Sequence, residues 1–348
     1  MMTTAMQAKA AFRARSIRWG FIWALWCAVL WGAWYVPGAA IWQEQPFVAM
    51  NMDDPRQFLT AAAVITTLNA FSVLLFLFLW LIVLEKFRDF GRTVVQLRRI
   101  SKWYFAAAIF GGPMAIFGSF LAMGYVGAVF AAIAGLLYPI VGATIARLWY
   151  NEKITMRAAL GILVIIGGGV AIYAPGILGE LSSASASQSS WIGYLGGAMA
   201  ALGWGVEGAL AGRALDVTDP DCGITVRFTA EVIYWLCLVM PALALFGDID
   251  VIHLLLDALN FKAITLLLLA GITFGFCYVS WYKSFPLIGV GRGQAIAALY
   301  GAFAVVFLAA FTLQFPAWNF VVGLALVVGG AFLMYTEKSD VLEVVRAL

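Results

Sequence analysis

Ten stretches of this chain stay apolar for about 20 residues each, the length that carries an α-helix across a ~30 Å hydrocarbon core. They lie at 19–42, 60–84, 103–124, 126–148, 156–176, 191–213, 223–247, 262–284, 290–312 and 317–336. Hydrophobic residues make up 64% of the sequence and charged residues 11%, whereas a soluble domain is nearer a quarter charged. Too little polar surface remains to face water. In lipid every backbone polar group must be satisfied within the chain, so such stretches become helices. The expected fold class is therefore an all-α integral membrane protein with ten transmembrane helices. The first stretch follows Arg13, Arg15 and Arg18 as a signal peptide would, but it is too long and too rich in Trp for a cleaved one. It reads as a permanent helix.

The charges set the expected orientation. With the N-terminus inside, all of the 21 Lys and Arg residues except Arg56 and Lys262 fall on the inner side, a strong positive-inside signal. Both termini are then cytoplasmic (N-in/C-in). The sequence also contains a repeat. Gly127–Tyr173 aligns without a gap on Gly289–Tyr335, 162 residues on, sharing Gly127/Gly289, Leu137/Leu299, Tyr138/Tyr300, Gly161/Gly323, Gly167/Gly329, Gly168/Gly330 and Tyr173/Tyr335. Each half holds five stretches, an odd number, so the second half enters the membrane upside down relative to the first. The expected organisation is a basic N-terminus (1–18), a first five-helix repeat (19–176), an outer linker (177–190, Ser-rich from Leu181), a second, inverted five-helix repeat (191–336) and a C-terminus (337–348). Inverted repeats are a common plan for secondary transporters, with the substrate near the midplane between them. The pairs Gly193-x-x-x-Gly197, Gly208-x-x-x-Gly212 and Gly271-x-x-x-Gly275 have the spacing that lets membrane helices approach closely.

Trp31-Gly32, Pro139, and Glu152 within Asn151-Glu152-Lys153-Ile154-Thr155 resemble the drug/metabolite transporter superfamily, of the EamA type. Trp204-Gly205 echoes the first-span pair, while Gly301 and Gln314 stand where the second half would repeat the Pro and Glu. The resemblance runs from about residue 20 to 337 and implies a transporter with a central cavity. It does not imply a substrate, because relatives carry amino acids, choline, nucleotide sugars and phosphorylated sugars. Glu152 is expected to make an interfacial salt bridge among Arg147, Lys153 and Arg157, and Pro139 to kink its helix.

Glu207 and Glu231 are the sharpest functional signal. Both fall inside apolar stretches at similar depth, where a carboxylate costs roughly 2.5–3.5 kcal/mol and faces a cavity or a partner. Trp204 lies three residues before Glu207, Tyr234 and Trp235 follow Glu231 at i+3 and i+4, and Tyr278, Trp281 and Tyr282 repeat the spacing, so acid and ring share a helix face. Acids beside rings suit an organic cation, above all a quaternary ammonium, which rings attract by cation–π contact. The expected substrate site is Glu207, Glu231, Tyr138, Tyr300, Trp34, Trp204, Tyr234, Trp235, Tyr278 and Trp281. The alternative cargo is an aromatic or hydrophobic amino acid, with the two carboxyls structural or coupling transport to protons. Each carboxyl also has a purely structural reading, protonated and bonded to a backbone carbonyl or to Asn69, Arg213 or Arg227. Trp19, Trp23, Trp26 and Trp34 form a stripe that packing alone would explain. Trp19, Trp42, Trp103, Trp149, Trp191 and Trp318 sit where interfacial belt residues do. No basic residue is expected deep in the bundle, Lys283 and Arg292 snorkelling to the surface, which counts against anionic cargo.

Other chemistry finds little footing. Cys27, Cys222, Cys237 and Cys277 have no metal-ligand spacing and read as small core residues. His253 stands alone, and Gly289-x-Gly291-x-Gly293 follows no strand, so it is a tight turn and no nucleotide fingerprint. An enzyme, a metal site, a cofactor and a nucleic-acid partner are not expected, and the sequence leaves proton coupling open. The expected partners are a small-molecule substrate and the lipid bilayer of a bacterial-type inner (plasma) membrane. A monomer suffices to enclose a cavity, and the sequence leaves a dimer open.

Overall fold

The computed structural model describes residues 4–51, 54–182, 190–246, 250–312 and 318–336. Among these, no strand occurs and helices dominate. Helix α1 (Thr4–Ala40) leads by two short 3-10 turns to α2 (Pro55–Val83), started by the Asp54 side chain, which accepts the Arg56 N–H. α3 (Phe87–Val95) and α4 (Arg98–Ile109) follow, and a π-helical turn, Phe110–Ile116, joins α4 to α5 (Phe117–Gly135). Next come α6 (Tyr138–Tyr150), α7 (Met156–Ser182), α8 (Ser190–Leu215) and α9 (Pro220–Tyr234). A second π-helical turn, Trp235–Val239, connects α9 to α10 (Met240–Phe246). The rest is α11 (Val251–Asp257), α12 (Phe261–Ile288), α13 (Val290–Ala297), α14 (Tyr300–Thr312) and α15 (Trp318–Tyr335).

Seven of the described helical segments are long and apolar enough to cross a membrane: Ala14–Gln43, Pro55–Val83, Arg98–Ala128, Pro220–Leu245, Phe261–Ile288, Val290–Phe311 and Trp318–Tyr335. Met156–Ala171 is a shorter apolar helix. Two expected stretches differ in character. The sixth is one helix, α8, whose seven glycines dilute its hydropathy. The fourth, 126–148, is broken. It opens at Gly127, whose φ of 86° lies outside the helical region, and breaks again between Gly135 and Tyr138. Pro139 sits in the first turn of α6, where its missing N–H has no helical partner to lose. It starts a helix and does not kink one.

Small residues set the closest helix approaches. A methyl group on Gly168 of α7 would lie 2.7 Å from the Gly323 carbonyl oxygen of α15, and one on Gly330 would lie 2.8 Å from that of Gly161. α5 meets α8 the same way, Gly118 and Gly196 each placing a β-position 2.5 Å from the other's carbonyl oxygen. Of the spaced glycine pairs, Gly193 packs on Tyr125 and Val126, Gly208 on Gln294, Gly271 on the Ser72 backbone and Gly275 on Phe76. α1 packs chiefly on α12 and α14, and α2 on α12. The core is largely aromatic: Trp31, Trp34, Tyr35, Tyr138, Trp204, Trp235, Tyr278, Trp281, Tyr282 and Tyr300 are all buried.

Candidate functional site

α9 starts at Asp219, whose side chain accepts the Asp221 and Cys222 N–H groups, with Pro220 in its first turn. That start puts Arg227 about two turns inside the helix, with Glu231 one turn further on the same face. Arg227 Nε donates to Glu207 Oε1 of α8 at 2.6 Å, and Nη1 donates to Glu231 Oε2. The Tyr278 and Tyr282 hydroxyls of α12 donate to Glu207 at 3.1 and 3.4 Å. The guanidinium lies 4.1 Å from the centre of the Phe228 ring and 5.0 Å from that of Tyr278. Glu207, Arg227 and Glu231 are wholly buried.

The remaining side of this triad is backbone. Gly111 and Gly112 of the first π-helical turn lie against it. A β-carbon on Gly111 would run into Arg227 Nη2 and the Glu207 carboxyl, and one on Gly112 would sit 2.5 Å from the Glu231 carboxyl carbon. Only glycine lets this turn lie so close. The second π-helical turn begins four residues after Glu231. Such turns are frequent at functional positions, and here one adjoins the triad on each of two helices.

Next to the triad is a connected group of rings. Trp31 stacks on Tyr300 with centroids 4.6 Å apart and meets Trp204 at 4.7, Tyr138 at 5.5 and Trp281 at 5.9 Å. Trp204 Nε1 donates to the Tyr278 hydroxyl at 3.0 Å, which joins rings to carboxylates. Trp34 stacks on Phe274 at 4.2 Å and donates to Asn69 Oδ1 at 3.1 Å. The Tyr138 hydroxyl donates to the Gln294 carbonyl at 2.6 Å, and the Tyr300 hydroxyl to the Ala132 carbonyl at 2.8 Å.

Of the ten residues expected from sequence, Glu207, Tyr138, Tyr300, Trp34, Trp204, Tyr278 and Trp281 belong to this assembly, and Glu231 joins it through Arg227. Trp235 is buried against Phe117 at 5.8 Å, beyond Glu231 on the same helix. Tyr234 turns away, and its hydroxyl donates to the Phe105 carbonyl at 3.2 Å. Trp31, Phe274, Tyr282 and Gln294 were missed as site residues. So was Arg227 as a deep cation. It is wholly buried and Arg292 is 2% exposed, so the argument against anionic cargo from missing deep cations does not hold. The i, i+4 spacing of Arg227 and Glu231 was the available signal. Of the span-one stripe only Trp34 reaches the assembly: Trp19 and Trp26 are exposed, and Trp23 lies under Lys283 at 4.9 Å. Among the expected belt residues, Trp19, Trp149, Trp191 and Trp318 are exposed, Trp103 is half-buried, and Trp42 is buried on Phe58 at 4.8 Å.

Two further polar contacts close one end of the bundle. Asn151, at φ 52°, ends α6 in a left-handed turn. That turn aims Glu152 at the start of α13, where it accepts the Val290 N–H at 3.0 Å and the Gly291 N–H at 3.1 Å. Glu152 is therefore buried and caps a helix, a position favoured by the positive end of the helix dipole. At the start of α9, Lys86 contacts Asp219 and Asp221 at 2.7 Å each, while Lys283 and Trp80 Nε1 reach Asp221 at 2.9 Å. Burial alone would lower the Lys86 ammonium. Its hydrogen bonds to Asp219 and Asp221 outweigh that and hold it above the ordinary lysine value. Cys27 and Cys277 are free buried thiols with sulfurs 3.6 Å apart, whereas Cys237 is exposed and so is no core residue. Among the described residues no cluster of three or more His, Cys, Asp or Glu could hold a metal ion.

Long apolar helices packed around a buried polar centre define a multi-pass membrane protein. Residues 191–336 match the model of the EamA-like transporter family. Proteins of that family are transporters, not enzymes. No curated protein matches the sequence. A solved crystal structure, described only as that of a protein, superposes with a TM-score of 0.59 at 14% identity, over 90% of this chain and 95% of the other. At that identity the likeness extends to the fold alone.

Proposed function

We propose that the protein is a secondary transporter of a small organic cation, a cationic or quaternary (choline-like) amine, working by alternating access. One observation carries the cargo assignment: two buried carboxylates face one buried guanidinium beside an aromatic assembly. The surplus negative charge is costly in a dry interior unless something positive joins it, and an ammonium bedded among rings answers that need. Anionic cargo is disfavoured because Arg227 is outnumbered two to one.

The architecture proposed is ten spans in two inverted repeats, 19–176 and 191–336, with both termini cytoplasmic in a bacterial-type inner membrane. Reciprocal contacts support it. The carbonyls that accept from Tyr138 and Tyr300 belong to Gln294 and Ala132, themselves 162 residues apart. Gly168 meets Gly323 while Gly330 meets Gly161; Gly32 packs on Phe303 while Gly205 packs on Val141; and Gly127 and Gly289 share a φ of 86°. Such pairing is what a twofold relation between halves produces. Access is proposed from the end carrying a cleft of about 300 Å³ beside Trp42, Gln43, Phe47 and Met123.

A second reading, an exporter or uniporter of aromatic or hydrophobic amino acids, is favoured by Arg227 Nη2, a buried donor with no hydrogen-bond partner that a carboxylate would satisfy. Thermal-shift binding of the purified protein decides between them, using choline-like ammoniums, diamines, aromatic amino acids and a nucleotide sugar. Stabilisation by a tetra-alkyl ammonium, lost in Glu207→Gln or Glu231→Gln, is the expected result. Stabilisation by aromatic amino acids alone, unchanged in both variants, sinks the cation reading.

A further inference from the structure

α1 and α15 flank α14 and leave a groove of about 480 Å³ between them. Apart from the Tyr335 hydroxyl, every side chain that lines it is apolar. Ala302 and Val306 line it from α14, Leu25 from α1 and Val328 from α15. Leu25, Val306 and Val328 are exposed, so the groove opens sideways, along three segments long and apolar enough to cross a membrane. Phe21 lies edge-on to Tyr335 at one end, with centroids 5.2 Å apart. The width of the groove limits what can fill it. From Leu324 to Tyr335 the α15 wall is about 16 Å long, which makes the groove a channel roughly 30 Å² in section. An α-helix with its side chains is about 10–12 Å across, roughly 80 Å² or more in section, and cannot lie in it. A single hydrocarbon chain can. Left empty, the channel would forfeit dispersion contacts along its whole length.

The Phe21–Tyr335 end is basic. Arg18 precedes Phe21 and Leu25 on the same face of α1, at i, i+3 and i+7. Arg157, at the start of α7, donates from Nη2 to the Thr336 hydroxyl at 2.6 Å, one residue beyond Tyr335. Both arginines are exposed, and among the described residues no acidic side chain pairs with either. We propose that the groove holds one acyl chain of an anionic phosphoglyceride, whose phosphate is held by Arg18 and Arg157. Guanidinium groups suit phosphate oxygens, and basic pockets between membrane helices recognise anionic headgroups. The lipid belongs to the cytoplasmic leaflet, which rests on the orientation proposed above. The cargo reading plays no part in it, since the groove shares no residue with the triad or the ring assembly. α1 lies in the first proposed repeat and α14 and α15 in the second, so the chain crosses the seam between them. Rocking one repeat on the other alters the groove, and a seated lipid therefore favours the conformation described here.

The test is native mass spectrometry of the full-length protein in detergent, titrated with phosphatidylglycerol or with phosphatidylcholine of the same chains. One phosphatidylglycerol retained per protein is expected, with a preference over phosphatidylcholine of roughly thirtyfold, the attraction of two arginines for one anionic headgroup. Arg18→Gln combined with Arg157→Gln should bring that preference close to parity. Val328→Trp, which fills the groove from its open side, should abolish retention of both lipids. Thermal melts of the variants in lipid-free detergent show that each is folded. Equal retention of the two lipids by the native protein, or a preference unchanged in the double arginine variant, overturns the headgroup assignment. Full retention by Val328→Trp overturns the groove, and a lipid-free dimer that Val328→Trp dissociates gives it to a second copy of the chain. The leaflet is tested separately, by a tag at the N-terminus of the protein in intact cells. Cleavage of that tag by external protease overturns the orientation and the leaflet together, whatever the lipid count.

Discussion

At the scale of single residues, glycines where side chains would collide do as much for the triad as its charges. Gly112 lets a backbone turn lie on the Glu231 carboxyl, while Gly167 on α7 has no atom within 4 Å of its β-position. Gly112→Ala is expected to abolish cargo binding and lower Tm by several degrees, since overpacking a close contact costs about 1–3 kcal/mol. Gly167→Ala is expected to leave binding intact and raise stability by about 0.5–1 kcal/mol through helix propensity; thermal melts of both variants check the pair. Glu207 and Glu231 stood out in the sequence because an acid inside an apolar run has few explanations. Arg227 did not, because it lies near the start of its run and counted as a topology marker. Only the start of α9 at Pro220, with its Asp219 cap, shows that two turns of helix carry it inward. The role of Glu152 was hidden too. Its basic neighbours in sequence gave no sign that the Asn151 turn hands it to a helix end 138 residues away.

At the scale of elements, apolar runs found their helices wherever the run was long and unbroken. The run at 126–148 did not. Gly127 and the Gly135–Leu137 break cut it, and hydropathy cannot register a positive φ. The same conformation at Gly289 separates α12 from α13, and the alignment of those two glycines was the readable trace of it. The α7–α15 contact carries its own prediction. Because Gly168 and Gly330 each abut a carbonyl of the opposite helix, Gly168→Leu and Gly330→Leu should destabilise by similar amounts, seen as like decreases in Tm. A large effect of one and none of the other would break the proposed equivalence of these helices.

At the scale of the whole molecule, the ionic network of Lys86, Asp219, Asp221 and Lys283 joins the end of α2 to α9 and α12. Part of it is solvent-exposed, so its worth is modest. The Lys86 ammonium is held above its ordinary value, so its contribution is complete below about pH 10.4 and is lost only as pH rises through the higher folded value. Asp221→Asn is expected to loosen that end at neutral pH, read as faster thiol labelling of a cysteine placed at Thr225, and to remove the extra stability loss at strongly alkaline pH. Unchanged labelling would make the network a surface ornament.

The reciprocal tyrosine bonds bear on how the chain is made. Tyr138 finds its acceptor only when residue 294 exists, and Tyr300 needs residue 132. During synthesis the first half therefore waits in the bilayer with a buried donor unmatched and its aromatic seam uncovered, a natural client for membrane quality control. Two separately translated fragments, divided within 183–189, should each be degraded when made alone and rescue one another when made together.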